Sequence, residues 1–129
     1  MKKLLSLVAA LALVGCANQT PPTASRAAFT TLSSIADTGN TALDGWAIYV
    51  KTQRAANAAI VDPVAHANAA LALQALEDKV SAGYNAYLKA YQTAAQLAAD
   101  MTSGDYQAAL TNATQAAADF TNLVNQLKK

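Results

Sequence analysis

The sequence predicts an all-α protein. We expect either an antiparallel three-helix bundle or an elongated helical hairpin with a shorter third helix, in both cases after a flexible N-terminal tether. The 129 residues include 33 alanines but only five glycines and three prolines, a composition that favours helix. Apolar residues recur in alternating steps of three and four, the spacing of helices that pack almost parallel to one another. Short joints separate three such stretches, so consecutive helices should run in opposite directions.

Residues 1–15 have the pattern of a secretory signal peptide. Lys2 and Lys3 precede an apolar run from Leu4 to Val14, and small residues follow it. As a helix this run of about 11 residues would be roughly 16 Å long, against a membrane hydrocarbon core of about 30 Å. The segment is therefore too short to span a membrane and is expected to be removed.

The end of this segment, Leu13-Val14-Gly15-Cys16, resembles the lipobox of bacterial lipoproteins. The resemblance implies attachment of diacylglycerol to the Cys16 thiol, cleavage after Gly15, and further acylation of the new amine, for example with palmitate. Two or three acyl chains are needed for a stable anchor. An ordinary signal peptide with a cysteine near its end is the alternative interpretation.

The residue after the cysteine bears on the membrane in which the anchor would reside. In Gram-negative lipoproteins an Asp at that position resembles a retention signal for the inner membrane, and this chain has Ala17. In a Gram-negative host the resemblance therefore implies an anchor in the outer membrane, facing the periplasm.

The tether is predicted at residues 16–24 and helix one from Ser25 onward, so the bundle domain would be 25–129. The tether is polar and contains a Pro-Pro pair, and its reach is under roughly 30 Å. Gly39 lies in a run of weak helix formers, so helix one is either continuous with a kink or broken there. The predicted apolar seam of helix one consists of Phe29, Leu32, Ala36, Gly39, Leu43, Trp46 and Val50.

Helix two is predicted from Asp62-Pro63 to about Thr102, with Asp62 as the N-cap and Pro63 in the first turn. At about 1.5 Å per residue it would be near 60 Å long. Its seam consists of Leu73, Leu76, Val80, Gly83, Tyr87, Ala90, Ala94, Leu97 and Met101. A second apolar stripe consists of Tyr84, Leu88, Tyr91 and Ala95 and should contact a further neighbour.

Helix three is predicted to follow a tight stop and restart at Ser103-Gly104-Asp105. At near 35 Å it would cover only part of a hairpin formed by the first two helices. Its apolar seam consists of Tyr106, Leu110, Ala113, Ala117, Phe120, Val124 and Leu127.

The sequence contains few residues that could catalyse a reaction, bind a metal ion or bind nucleic acid. From Cys16 onward the chain carries seven basic and eight acidic side chains, a net of −1, without the basic surface that nucleic acid requires. His66 is the only histidine and Cys16 the only cysteine, so neither a His/Cys metal site nor a Ser-His-Asp triad is expected. Glu77 and Asp78 are adjacent and would point about 100° apart on a helix, which favours a solvated surface over the facing acids of a hydrolase. We expect no cofactor, no metal and no enzymatic activity.

Four aromatic residues are the candidate partner-binding residues. Tyr84, Tyr87 and Tyr91 follow one another at helical spacing, and Trp46 lies on the seam of helix one. One interpretation places these rings in the core, with hydroxyls at its rim. The other is an exposed aromatic surface that binds a partner helix or a glycan strand.

Lys129 is a candidate for covalent attachment to peptidoglycan. The lipobox, the 3.5-residue period and a final lysine resemble the family of the major outer-membrane lipoprotein of enteric bacteria, whose terminal lysine becomes linked to the cell wall. This chain departs from that pattern at Asp62-Pro63 and Ser103-Gly104, which should fold it back on itself. The alternative role of Lys128 and Lys129 is to complement the dipole of helix three.

Together these features predict a lipid-anchored, non-enzymatic protein of the cell envelope that acts as a binding or structural helical module. Its expected partners are the membrane, through the N-terminal lipid, and a protein partner or a second copy of the chain. Two alternatives stay open: a tether to peptidoglycan through Lys129, and an inhibitor or accessory subunit of an envelope enzyme, including a phage-encoded exclusion factor.

Overall fold

The computed structural model describes residues 23–99 and 103–129 of the chain, with side chains from residue 26. These residues form three α-helices and no strand: α1 is Thr23–Ala58, α2 is Pro63–Leu97 and α3 is Gly104–Leu127. The predicted all-α three-helix bundle is confirmed. The predicted signal peptide and Cys16 lie outside the described residues.

Helix α1 is continuous through Gly39 and begins at Thr23, two residues before the predicted start. The interpretation of a break at Gly39 is therefore wrong. The glycine is buried and faces the ring of Tyr87, so its role is to allow close packing rather than to end a helix. At 36 residues, α1 is about 54 Å long.

Helix α2 starts with the predicted capping, and α3 starts at the predicted restart. The carboxylate of Asp62 accepts a hydrogen bond from the Ala65 amide at 2.7 Å, and Pro63 opens the helix. The Ser103 hydroxyl accepts one from the Tyr106 amide at 3.1 Å. Helix α2 ends at Leu97, five residues before the predicted end, and its 35 residues span about 52 Å.

One hydrophobic core runs between the helices, and α2 and α3 make the most extensive contact. Alanine allows the helices to approach closely, because three of the most completely buried residues are Ala94, Ala113 and Ala117. The larger buried side chains are Leu32, Ile35, Leu43, Trp46, Val50, Leu73, Val80, Tyr84, Tyr87, Leu88, Tyr106, Phe120 and Val124.

The predicted seams are right over most of their length and wrong at two positions. Phe29 is 49% exposed, because the first turns of α1 bury Ala28 and Ile35 together with the predicted Leu32. The predicted and the observed residues share Leu32 and both recur in steps of three and four, so spacing alone could not choose between the two sets. Ala95 is also exposed, while Met101 lies outside the described residues.

Helix α3 covers only part of the α1–α2 hairpin. Near its end, the Lys128 amine lies 3.2 Å from the point that a Cβ on Gly45 would occupy. From Gly45 to Ala58, α1 rises a further 20 Å or so. Residues 51–76 therefore extend past α3 as two packed helices and a turn, and we call this segment the hairpin end.

Candidate functional site

An aromatic cluster occupies the part of the core where all three helices meet. The ring of Tyr84 lies 5.8 Å from that of Tyr87 and 5.5 Å from that of Phe120, measured between centroids. The ring of Tyr87 stacks on that of Phe120 at 6.0 Å, with an angle of 11° between the ring planes. The ring of Tyr91 lies 6.3 Å from that of Tyr87. These separations are those of favourable aromatic pairs, so the cluster fixes how the helices pack.

The structure places the four predicted partner-binding residues mainly in this core. Trp46, Tyr84 and Tyr87 are 2%, 0% and 3% exposed, and only Tyr91 is partly accessible. An exposed surface formed by all four rings is therefore wrong, and the core interpretation agrees with their burial. Spacing within one helix could not show that α3 would bring Phe120 against the same face.

The tyrosine hydroxyls in the core differ in their hydrogen bonding. The hydroxyl of Tyr87 donates to the backbone carbonyl of Ile35 at 3.3 Å and so ties α2 to α1. The hydroxyls of Tyr84 and Tyr106 are buried and have no hydrogen-bond partner among the described residues. A buried, unpaired hydroxyl lowers stability because it has lost its hydrogen bonds to water.

Burial raises the pKa of Tyr84, Tyr87, Tyr91 and Tyr106. For Tyr87, repulsion from Tyr84, Tyr91 and Asp37 raises the pKa further. These hydroxyls therefore stay neutral in the folded protein at pH values where they ionise in the unfolded chain. Above the unfolded pKa of about 10 the unfolded chain binds fewer protons than the folded one, so the free energy of unfolding falls as pH rises.

The difference between the hydroxyls predicts opposite effects for one substitution made at two positions. Tyr87→Phe should lower the free energy of unfolding by about 1 kcal/mol, because the buried hydrogen bond that joins α2 to the Ile35 carbonyl of α1 is lost. Tyr84→Phe should raise it by about 1 kcal/mol, because an unpaired hydroxyl leaves the core. Urea unfolding followed by circular dichroism measures both, and a change of the same sign in the two variants would contradict the assignment.

The turn of the hairpin end is held by His66. Its Nδ1 lies 2.9 Å from the carbonyl oxygen of Asn57 in the last turn of α1, so the ring N–H donates to that carbonyl. The His66 amide donates to the carbonyl of Asp62 at 2.9 Å. The bond to Asn57 has no sequence signal, because its acceptor is a backbone group that the path of the turn brings close.

An ion pair joins α1 and α2 where the hairpin end begins. The guanidinium of Arg54 donates to the Glu77 carboxylate at 2.7 Å. The Arg54 side chain is 61% exposed, so the pair contributes at most about 1 kcal/mol. Leu73 is buried beside it, and a shallow groove lined by these residues, Asn57 and His66 lies beyond the end of α3.

Large apolar side chains are exposed on the hairpin end. Val61 is 94% exposed, Val64 69% and Leu71 65%. Between Asp62 and Glu77 the only titratable side chain is His66, and many of the neighbouring residues are exposed alanines. Apolar surface of this kind is typical of protein contacts. The hairpin end is therefore the candidate functional site.

The sequence contains a signal for this surface outside the predicted seams. Val64 and Leu71 lie seven residues apart on helix two, and neither belongs to the seam that begins at Leu73. Two large apolar residues on one face outside the core seam indicate a second, unpartnered face.

The two final lysines lie in different environments. Lys128 is half-buried against Gly45, whereas Lys129 is exposed. Because α3 ends well short of the turn of the hairpin, Lys129 lies beside the bundle rather than at its far end. The attachment of Lys129 to peptidoglycan stays a prediction.

Within residues 23–99 and 103–129, no three His, Cys, Asp or Glu side chains are placed to hold a metal ion. No helix in this part of the chain is both long enough and apolar enough to cross a membrane. In comparisons with known proteins, no family model matches the chain, and neither a curated protein nor a solved structure is significantly similar to it.

Proposed function

We propose that the chain is a lipid-anchored, non-enzymatic protein of the cell envelope whose helical bundle is a binding module. The lipid on Cys16 would hold the protein at the membrane, and the hairpin end would make the contact. In a Gram-negative cell, Ala17 favours the periplasmic face of the outer membrane. Confinement to a surface raises the local concentration of the module and so strengthens a contact of modest area.

The observation that supports this proposal most is the position of the two features along the bundle. Six residues, 17–22, separate Cys16 from the start of α1, a reach of about 20 Å at most. Helix α1 then runs the length of the bundle before the exposed apolar residues of the hairpin end begin. An anchor at one end and exposed apolar side chains at the other suit a protein that reaches from a membrane toward a partner.

Replacement of Cys16 tests the anchor. In cells supplied with labelled palmitate, the wild-type protein should carry the label and sediment with membranes. Cys16→Ser should carry none, because the thiol that accepts the lipid is gone. The double variant Cys16→Ser, Ala24→Cys is the matched control, since it keeps one thiol near the same end of the chain and should also stay unlabelled.

Two outcomes would refute the anchor. One is a wild-type protein that never incorporates palmitate. The other is a Cys16→Ser variant that incorporates as much label as the wild type. Label on the Cys16→Ser, Ala24→Cys variant would show that any thiol in this region accepts lipid, and the lipobox would lose its role.

A further inference from the structure

The exposed face of α2 carries a second seam that packs against nothing in the described structure. Val64, Asn68, Leu71 and Ala75 follow one another in steps of four, three and four, and all four are exposed. Leu71 is 65% exposed, whereas Leu73 is 7% exposed. A difference of two residues turns a helix by about 200°, so this seam faces away from the core.

Two residues of this seam, Asn68 and Leu71, match the pattern of a parallel two-stranded coiled coil. With Leu71 at a d position, Val64 is the preceding d, and Asn68 and Ala75 are at a positions. A single asparagine at an a position specifies register and two strands in such dimers, and leucine at d is the usual companion. The side-chain amide of Asn68 has N–H groups that donate hydrogen bonds and an oxygen that accepts them, so it can pair with the same group of a second copy.

The residues that flank the seam carry no charge, which favours a partner whose facing surface is also uncharged. The flanking residues Ala65, Ala67 and Ala72 are small and exposed, and close approach of another helix is therefore unhindered. The next seam position after Ala75 is Asp78, which in a symmetric pair would face its own counterpart. Repulsion between like charges would confine the contact to the hairpin end.

We propose that two copies of this chain associate through this seam, with their α2 helices parallel and each Asn68 facing its counterpart. The parallel orientation rests on the proposed function, because copies anchored in one membrane leaflet point the same way. The seam is short for a free coiled coil, and confinement to the membrane supplies the local concentration that it lacks.

Cysteine crosslinking in intact cells tests the proposal on the full chain. Cys16 is the chain's only cysteine, and under the proposed function its thiol carries lipid. Val64→Cys, Asn68→Cys and Leu71→Cys, each introduced singly, should form a covalent dimer on oxidation. The matched control is Ala118→Cys, an exposed position on α3. We expect roughly tenfold more dimer at the seam than at the control, because a disulfide needs Cα atoms within about 7 Å.

A charge on the seam should abolish the crosslink without disturbing the fold. Leu71→Asp combined with Asn68→Cys should reduce the dimer to the level of the Ala118→Cys control, since two carboxylates would face each other. Ile48→Asp combined with Asn68→Cys should leave the dimer unchanged. Ile48 is 68% exposed, as accessible as Leu71, but lies on α1.

Three results would overturn parts of the proposal separately. No excess dimer at any seam position, in cells where the protein carries palmitate, would refute the contact itself. Monomeric Val64→Cys and Leu71→Cys variants that crosslink only when mixed would show an antiparallel pair and refute the parallel orientation. Absence of palmitate from the protein would refute the anchor on which that orientation rests.

Discussion

Phe120→Ala is expected to lower the free energy of unfolding by roughly 3–5 kcal/mol, the largest effect that we predict for any single side chain. The ring is 2% exposed and stacks with Tyr84 and Tyr87 where α2 and α3 meet. Its removal leaves a cavity that rigid neighbouring rings cannot fill. A domain of this size is stable by only about 5–15 kcal/mol, so the variant should unfold at a much lower temperature.

The second phenylalanine of the chain is a matched control. Phe29 is 49% exposed near the start of α1, so Phe29→Ala should change the free energy of unfolding by less than about 1 kcal/mol. Thermal unfolding of both variants, followed by far-ultraviolet circular dichroism, measures the difference. Equal losses would mean that Phe29 is in the core, as the sequence alone had predicted, and that α1 is rotated from its described position.

Gly39→Ala should be the most damaging of the glycine substitutions. A Cβ at this position would lie 2.6 Å from the hydroxyl oxygen of Tyr87, and the ring atoms next to it are no farther away. Tyr87 cannot easily move, because its hydroxyl bonds to Ile35 and its ring stacks on Phe120. Overpacking costs about 1–3 kcal/mol and alanine recovers up to about 1 kcal/mol of helix propensity, so we expect a net loss of up to about 2 kcal/mol.

Two other glycines calibrate this prediction. At Gly104 an added Cβ would have no neighbour within 4 Å, so Gly104→Ala should be neutral or stabilising by about 0.4–1 kcal/mol. At Gly83 the Cβ would meet the end of the flexible Leu123 side chain at 2.6 Å, which should give an intermediate effect. Urea unfolding of the three variants measures the order. A Gly39→Ala variant as stable as Gly104→Ala would contradict the described packing of Tyr87.

The sequence predicted the helices better than it predicted which faces they bury. Asp62-Pro63 and Ser103 mark the starts of α2 and α3 because capping is local and depends on residues close in the chain. The rotation of α1 at Phe29 depends on side chains of the other two helices, and no spacing within α1 contains that information. For the same reason Gly39 could be interpreted as a break, although its role is contact with Tyr87 on another helix.

The candidate site could be predicted only in part. The sequence predicted that large aromatic residues bind a partner. In an alanine-rich core, however, aromatic side chains fill the space between the helices. Three exposed aliphatic residues, Val61, Val64 and Leu71, lie where α3 no longer covers the hairpin. How far α3 reaches depends on the register between α2 and α3, which is fixed by contacts such as that of Gly83 with Leu123.

The proposed function depends on one covalent bond, between the sulfur of Cys16 and a lipid. Mass spectrometry of the N-terminal peptide of the membrane-extracted protein measures it most directly. We predict a mature chain that begins at Cys16 and carries the mass of a diacylglyceryl group, with or without an acyl group on its amine. A chain that begins elsewhere, or a Cys16 with a free thiol, would contradict the proposal.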